Sequence, residues 1–222
     1  MKSQESEEIT RDEIKKEFQL ERMILFSDAV FAIVITLMAI EIKIPESVEL
    51  SSKTMAKELF HLLPTLLAYI VSFFFIGAIW YQHLKMFSLL KDYDLGLVIR
   101  NMALLFFIGL FPFTATLITR AKGQMQPFFM YLFMILFCVI AQYVLYHYIV
   151  IQRPSIRLNT DLAEHKKELY KRRIGVIGFS VAAVLIMITY FLIPLQELKS
   201  LSMLCMMMVP IIYQLMKEKK TA

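Results

Sequence analysis

Glycine and cysteine are scarce. Six glycines are spread over 222 residues and none sits in a Gly/Ser-rich run, so no flexible linker divides the chain and no second, soluble domain is expected. The two cysteines, Cys138 and Cys205, both lie inside apolar stretches. They read as small core residues rather than as a disulfide or a metal pair, and cysteine usage leaves the compartment open. Residues 1–21 are charged and amphipathic and lack a short apolar core ahead of a small-residue cleavage site. The first apolar run is therefore expected to act as its own insertion signal. No His, Glu or Asp group has metal-ligand spacing, and no Ser or Cys sits beside a base, which argues against a membrane enzyme and calls for no cofactor. A Thr-Val-Gly-Tyr-Gly string is also missing, as is a short re-entrant segment between spans. An ion filter made of backbone carbonyls is thereby excluded.

What the chain does have is hydrocarbon. It is 58% hydrophobic with a mean hydropathy of +0.60, which places it among integral membrane proteins before any pattern is read. A helix needs roughly 20 apolar residues to cross the bilayer core, and six segments qualify: 22–43, 60–86, 98–119, 126–150, 173–194 and 197–216. The expected fold is an all-α membrane protein of six transmembrane helices. A cytosolic amphipathic segment (1–21) precedes the membrane domain (22–216), and a short basic tail (217–222) follows it. The last two spans are joined through Pro194-Leu-Gln-Glu-Leu-Lys199, which implies a helical hairpin. Lys43, Lys53, Lys57, Arg120, Lys122 and Lys199 fall on one side, and the remaining eighteen of the 24 Lys and Arg fall on the other. That bias puts both termini in the cytosol. The net charge of +5 is thus a topology signal; no nucleic-acid partner follows from it, and the basic 153–173 loop reads first as an inside marker, then as a surface for anionic lipid.

The first span carries Arg22, Ser27 and Asp28, and charges in hydrocarbon are costly unless paired or hydrated. At 100° per residue, Arg22, Phe26, Ala29, Ile33, Thr36, Leu37 and Ile40 share one stripe, whereas Asp28, Phe31, Ile35, Met38 and Ile42 lie opposite, with Ser27 flanking them. Asp28 lies about 9 Å along the axis from Arg22 and points away from it, so it needs a partner on another helix. Trp80 and His83 near the inner end of the second span, and Asn101 at the start of the third, lie at the same depth. A polar cluster of Ser27, Asp28, Trp80, His83 and Asn101 is expected to lock the first helix in rotation and turn Ile33 the other way. Pro64 is expected in the first turns of its helix. Pro112 is expected to kink the third span and free the Ile108 carbonyl, with Thr114 and Thr116 nearby to relieve it. His61 and His147 receive no role.

Arg22-x-x-x-Phe26-Ser27-Asp28 on a first membrane helix, continuing into Ile33 and Thr36, resembles the signature of the transmembrane protein 175 family of potassium channels. Trp80, His83, Asn101 and Pro112-Phe113 support the resemblance. With one six-span unit the chain resembles the bacterial form. The resemblance implies a homotetramer in a bacterial plasma membrane, with potassium ions and membrane lipids as its partners. It further implies a pore lined by the first helix of each subunit, with Ile33 as a hydrophobic constriction flanked by Leu37 and Ile40, and Thr36 as a hydroxyl ring contributing to potassium preference. Arg22, Phe26, Ser27 and Asp28 bind neighbouring helices in that picture. Two other readings stay open: a proton-coupled or proton-permeable secondary transporter using Asp28 and His83, and a non-conducting scaffold. The lack of an internal repeat counts against an inverted-repeat transporter.

Overall fold

The first membrane helix starts well before the membrane. In the computed structural model, which describes residues 2–40, 42, 52–120, 124, 126–158 and 161–192, α1 runs unbroken over Lys2–Ile40. The helix crosses position 21/22 without interruption; the Glu- and Lys-rich start consists of good helix formers and continues straight into the apolar stretch. Helix α2 spans Ser52–Phe87, so Pro64 lies in the helix interior and not in its first turns, a correction to the sequence reading. Next come α3 (Leu95–Gly109), α4 (Phe111–Arg120), α5 (Gln126–His147) and α6 (Leu162–Leu192). Between α5 and α6 lie a π-helical turn, Tyr148–Gln152, and a 3-10 turn, Pro154–Ile156.

Four helical stretches among the described residues are long and apolar enough to cross a membrane: Ile14–Ile40, Thr65–Phe87, Leu95–Ile118 and Gln126–Gln152. The chain is an integral membrane protein, helical throughout the spans among its described residues. The fifth expected span, 173–194, begins within α6 and runs past its last described residue. The sixth span at 197–216, the 194–199 hairpin, Cys205 and the basic tail lie outside the described residues.

The third span is two helices. Pro112 has no N–H to give Ile108, and the chain turns at Leu110, whose N–H reaches the Phe107 carbonyl at 3.3 Å. The threonines act nearby but on other atoms than expected. The Thr114 hydroxyl reaches the Leu110 and Phe111 carbonyls (3.3 and 3.1 Å), and that of Thr116 the Pro112 carbonyl (2.8 Å).

Helix α5 packs against α3, α4 and α6. Lipid-like surroundings give little hydrophobic drive between helices, so close packing and interhelical hydrogen bonds hold them. The Gln142 side-chain amide donates to the Ile79 carbonyl of α2 at 3.0 Å. Ser72 donates to Ala68 (2.7 Å), which leaves its oxygen to accept from the Tyr131 hydroxyl at 2.5 Å. Cys138 is fully buried and free, a packing residue.

One end of the helix bundle is fastened by a latch at the start of α3. Asp94 caps that helix, accepting the Leu97 N–H at 2.7 Å through one oxygen and the Tyr148 hydroxyl at 2.7 Å through the other, with Arg153 at 3.3 Å. Burial disfavours the ionised carboxyl, but the Tyr148 and Leu97 bonds and the Arg153 and Arg100 charges outweigh it, so Asp94 titrates below its usual range. The stabilisation is therefore present at neutral pH and is lost only as pH falls through that lowered value. Arg100 lies over the Tyr148 ring, 3.9 Å from its centroid. Gly96 is what lets Tyr148 in: a Cβ there would overlap the Tyr148 hydroxyl. Beside the latch, Leu90 pairs with Arg157, and α1 is tied to the same turn by Lys16–Asp92 (3.6 Å) and by the Tyr93 hydroxyl on Gln19.

Candidate functional site

Helix α1 has two unlike faces. Leu20, Ser27, Phe31, Val34 and Met38 are buried against the rest of the protomer. Arg22, Phe26, Ala29, Ile33, Thr36, Leu37 and Ile40 are exposed. Ile33 is 55% exposed, Leu37 45% and Ile40 58%, a largely apolar surface among the described residues. The Thr36 hydroxyl interrupts it. That hydroxyl lies 3.0 and 2.9 Å from the Ala32 and Ile33 carbonyls, so its proton is held by its own helix and its oxygen is left as an acceptor.

What fixes the rotation is a directed chain of hydrogen bonds. Ser27 sits one turn after Met23 and donates to its carbonyl at 2.8 Å. Its oxygen then accepts from the Asn101 side-chain amide at 2.9 Å. That commits the Asn101 oxygen to His83, whose Nε2 is 2.9 Å away. Each donor has one acceptor only if Nε2 carries the imidazole proton, so the chain selects that tautomer. Ser27, His83 and Asn101 are all buried. Nδ1 of His83 is buried without a partner, in an apolar sandwich: Phe87 stacks at 4.0 Å between centroids and Phe31 lies at 5.5 Å. Phe31 lies on the face the helical count assigned to Asp28, whereas Phe87 was not singled out from sequence; each follows a cluster residue by four positions on its own helix, the spacing that puts side chains together.

Asp28 is partnered separately. The Trp80 indole N–H donates to it at 2.9 Å. The structure thus brings Ser27, Asp28, Trp80, His83 and Asn101 to one depth between α1, α2 and α3. Arg22 and Phe26 stand apart on the exposed stripe, with the Arg22 guanidinium 6.0 Å from the Phe18 ring centroid. Asp28 and His83 each bond to a different residue, so the pair required for a direct proton relay is not joined. Trp80→Phe keeps the ring but removes the only donor shown for Asp28. We expect it to lower stability by about 1–3 kcal/mol, and Asp28→Ala to add little on top of it. Unfolding followed by circular dichroism checks this; fully additive losses would mean that the two side chains act independently.

Fold and site together define a multi-span helical membrane protein whose first membrane helix is locked on one face and open on the other. A protein family described as "Endosomal/lysosomal potassium channel TMEM175" matches residues 22–112, the stretch that holds both the stripe and the cluster. A potassium channel of Chryseobacterium sp. (strain P1-3) is 31% identical over 161 residues, covering 71% of this chain and 78% of its own. The endosomal/lysosomal proton channel TMEM175 of Gallus gallus is 25% identical over 190 residues, covering 80% of this chain and 36% of its own. The crystal structure of a lysosomal potassium-selective channel TMEM175 homolog from Chamaesiphon minutus superimposes with a TM-score of 0.72 at 25% identity, covering 90% of this chain and 98% of that one. The chain belongs to the TMEM175 family. These relatives are ion channels and not enzymes.

Proposed function

We propose that the chain forms a potassium-preferring cation channel. Four copies assemble around a pore lined by α1, in a bacterial plasma membrane, with six spans over 22–216, both termini in the cytosol and 217–222 as a short basic tail. The observation that carries the reading is the largely apolar stripe of α1, about half exposed among the described residues, with the polar cluster on its far side. Ile33 is the constriction, with Leu37 and Ile40 continuing the apolar wall. A ring of four isoleucines closes by dewetting and passes ions only when it widens. Thr36 lies nearly one turn further out, and its hydroxyl, whose hydrogen points to the helix backbone, offers its oxygen lone pairs to a cation that has shed some of its water. No carbonyl cage is involved, so the discrimination against sodium is modest.

The test is current through the purified protein in a planar bilayer with potassium on one side and sodium on the other. A reversal potential displaced toward the potassium equilibrium value is expected. No current, with flux appearing only under a proton gradient, would replace the channel by a transporter. Ile33→Asn hydrates the constriction. Lowering the permeation barrier by about 1.4 kcal/mol raises conductance roughly tenfold, and single-channel recording reads it directly. A variant that conducts no better than the parent would remove Ile33 from the gate.

A further inference from the structure

Arg157 is a charged residue with almost no exposure, 8%. Its backbone pairs with Leu90, and its neighbour Leu158 is 44% exposed, so alternation across the bridge sends Arg157 inward. There its Nε and Nη1 are buried with no hydrogen-bond partner. A guanidinium stays charged at any physiological pH, and burying two of its N–H groups without acceptors carries a desolvation cost. Of the carboxylates around Tyr146, Glu168 is paired with Arg172 at 3.2 Å. Arg172 also lies over the Tyr146 ring at 4.5 Å, and Arg157 is within electrostatic reach of the same Tyr146 hydroxyl, together with Glu168 and Glu164.

The depth of this cluster points to what completes it. Helix α6 changes character at Arg173. Before it come Lys166, Lys167, Lys171 and Arg172; after it, Ile174, Ile177, Val181 and Val184 are all half-exposed or more. A switch from basic to exposed apolar side chains marks the level of the lipid headgroups. We infer that Arg157, backed by Arg172, is the buried half of a phosphate-oxyanion site at headgroup depth, its ligand the phosphate of an anionic lipid or a free phosphate ion. Planar, forked donors suit such an oxyanion. Both unpaired nitrogens are covered in this structure, so binding moves the first turns of α6 off Tyr146. The inference stands whether or not the protein conducts potassium.

The test uses the full chain in phosphatidylcholine nanodiscs, with phosphatidylglycerol added stepwise, and compares the parent with Arg157→Met. Without anionic lipid the variant is expected to be at least as stable as the parent, because it has shed buried N–H groups that lack acceptors. Phosphatidylglycerol is then expected to raise the parent's unfolding midpoint saturably, by about 4 °C or more, and to leave the variant unmoved, so that the order reverses. Millimolar inorganic phosphate in phosphatidylcholine separates the sources: protection by phosphate alone assigns the site to the free ion, and protection by the lipid alone assigns it to the headgroup. Equal shifts in both proteins, or none in either, would overturn the inference. So would a variant less stable than the parent in every lipid, which is the outcome if a carboxylate of a neighbouring copy already pairs with Arg157. Should Arg157→Met fail to fold, native mass spectrometry of the parent decides: preferential retention of phosphatidylglycerol supports the site, and equal retention of both lipids removes it.

Discussion

Asn101→Leu is expected to destabilise the folded protein by about 2–4 kcal/mol, the cost of leaving buried polar groups unpaired. Asn101 is the one residue that touches both ends of the chain of bonds, Ser27 on α1 and His83 on α2. Leucine would strand the His83 Nε2–H in a pocket whose other imidazole nitrogen already has no partner. Ser27 suffers less, since its proton goes to Met23 within its own helix. The penalty therefore falls mainly on the histidine, which gives a sharp check. His83→Phe alone leaves the Asn101 oxygen unmet and is also destabilising. Asn101→Leu with His83→Phe removes donor and acceptor together and keeps an aromatic ring between Phe31 and Phe87, so the double variant should recover most of the loss. Thermal unfolding of the three variants in detergent or nanodiscs yields the coupling directly. If the double variant is as damaged as the sum of the singles, the bond is not what holds α1 in place.

Gly96→Ala should be nearly as damaging, for a steric reason. The added Cβ meets the Tyr148 hydroxyl and ring, and a well-packed site answers such an insertion with a loss of about 1–3 kcal/mol. Tyr148 would have to leave Asp94, taking with it a bond to an ionised carboxylate, itself worth about 1.5–3 kcal/mol. The total is expected near 3–5 kcal/mol. Tyr148→Phe on the unaltered background reports the hydrogen bond alone. Combining Gly96→Ala with Tyr148→Leu removes the collision but not the lost bond, so this double variant should be more stable than Gly96→Ala by itself. Unfolding midpoints of the set separate the two contributions, and additivity would mean that Tyr148 does not occupy the space over Gly96.

The polar cluster was legible in the sequence because polarity stands out in a hydrocarbon run. Ser27 and Asp28 need partners, depth along each helix is counted at a fixed rise, and only a few donors lie at the matching level. The exposed stripe followed from the same helical count, and the break near Pro112 from proline's missing N–H. The helix starts were harder. An amphipathic leader of good helix formers gives no signal for where a membrane helix begins, so α1 and α2 both start earlier than the apolar runs suggest, and Pro64 moves from a terminus to an interior. Least legible was the fastening at the start of α3. Tyr148, Asp94 and Gly96 meet only because a π-helical turn after α5 reaches back across 54 residues, and no local pattern encodes that meeting. Arg157 was counted merely as one more inside charge; only its burial sets it apart.

Helix α1 carries its stripe on a shaft of 39 residues without a joint. At a rise of 1.5 Å per residue, Leu20 and Ile40 are about 30 Å apart. A tilt of only ~1° about Leu20 therefore swings the Ile40 end by roughly 0.5 Å, a sizeable share of a methyl group's radius. Lys16 and Gln19, gripped by Asp92 and Tyr93, sit on the short arm of this lever, and Ile33 and Ile40 on the long one. Whatever loosens that grip by a small angle is magnified where the apolar side chains stand, with no hinge along the way to absorb it.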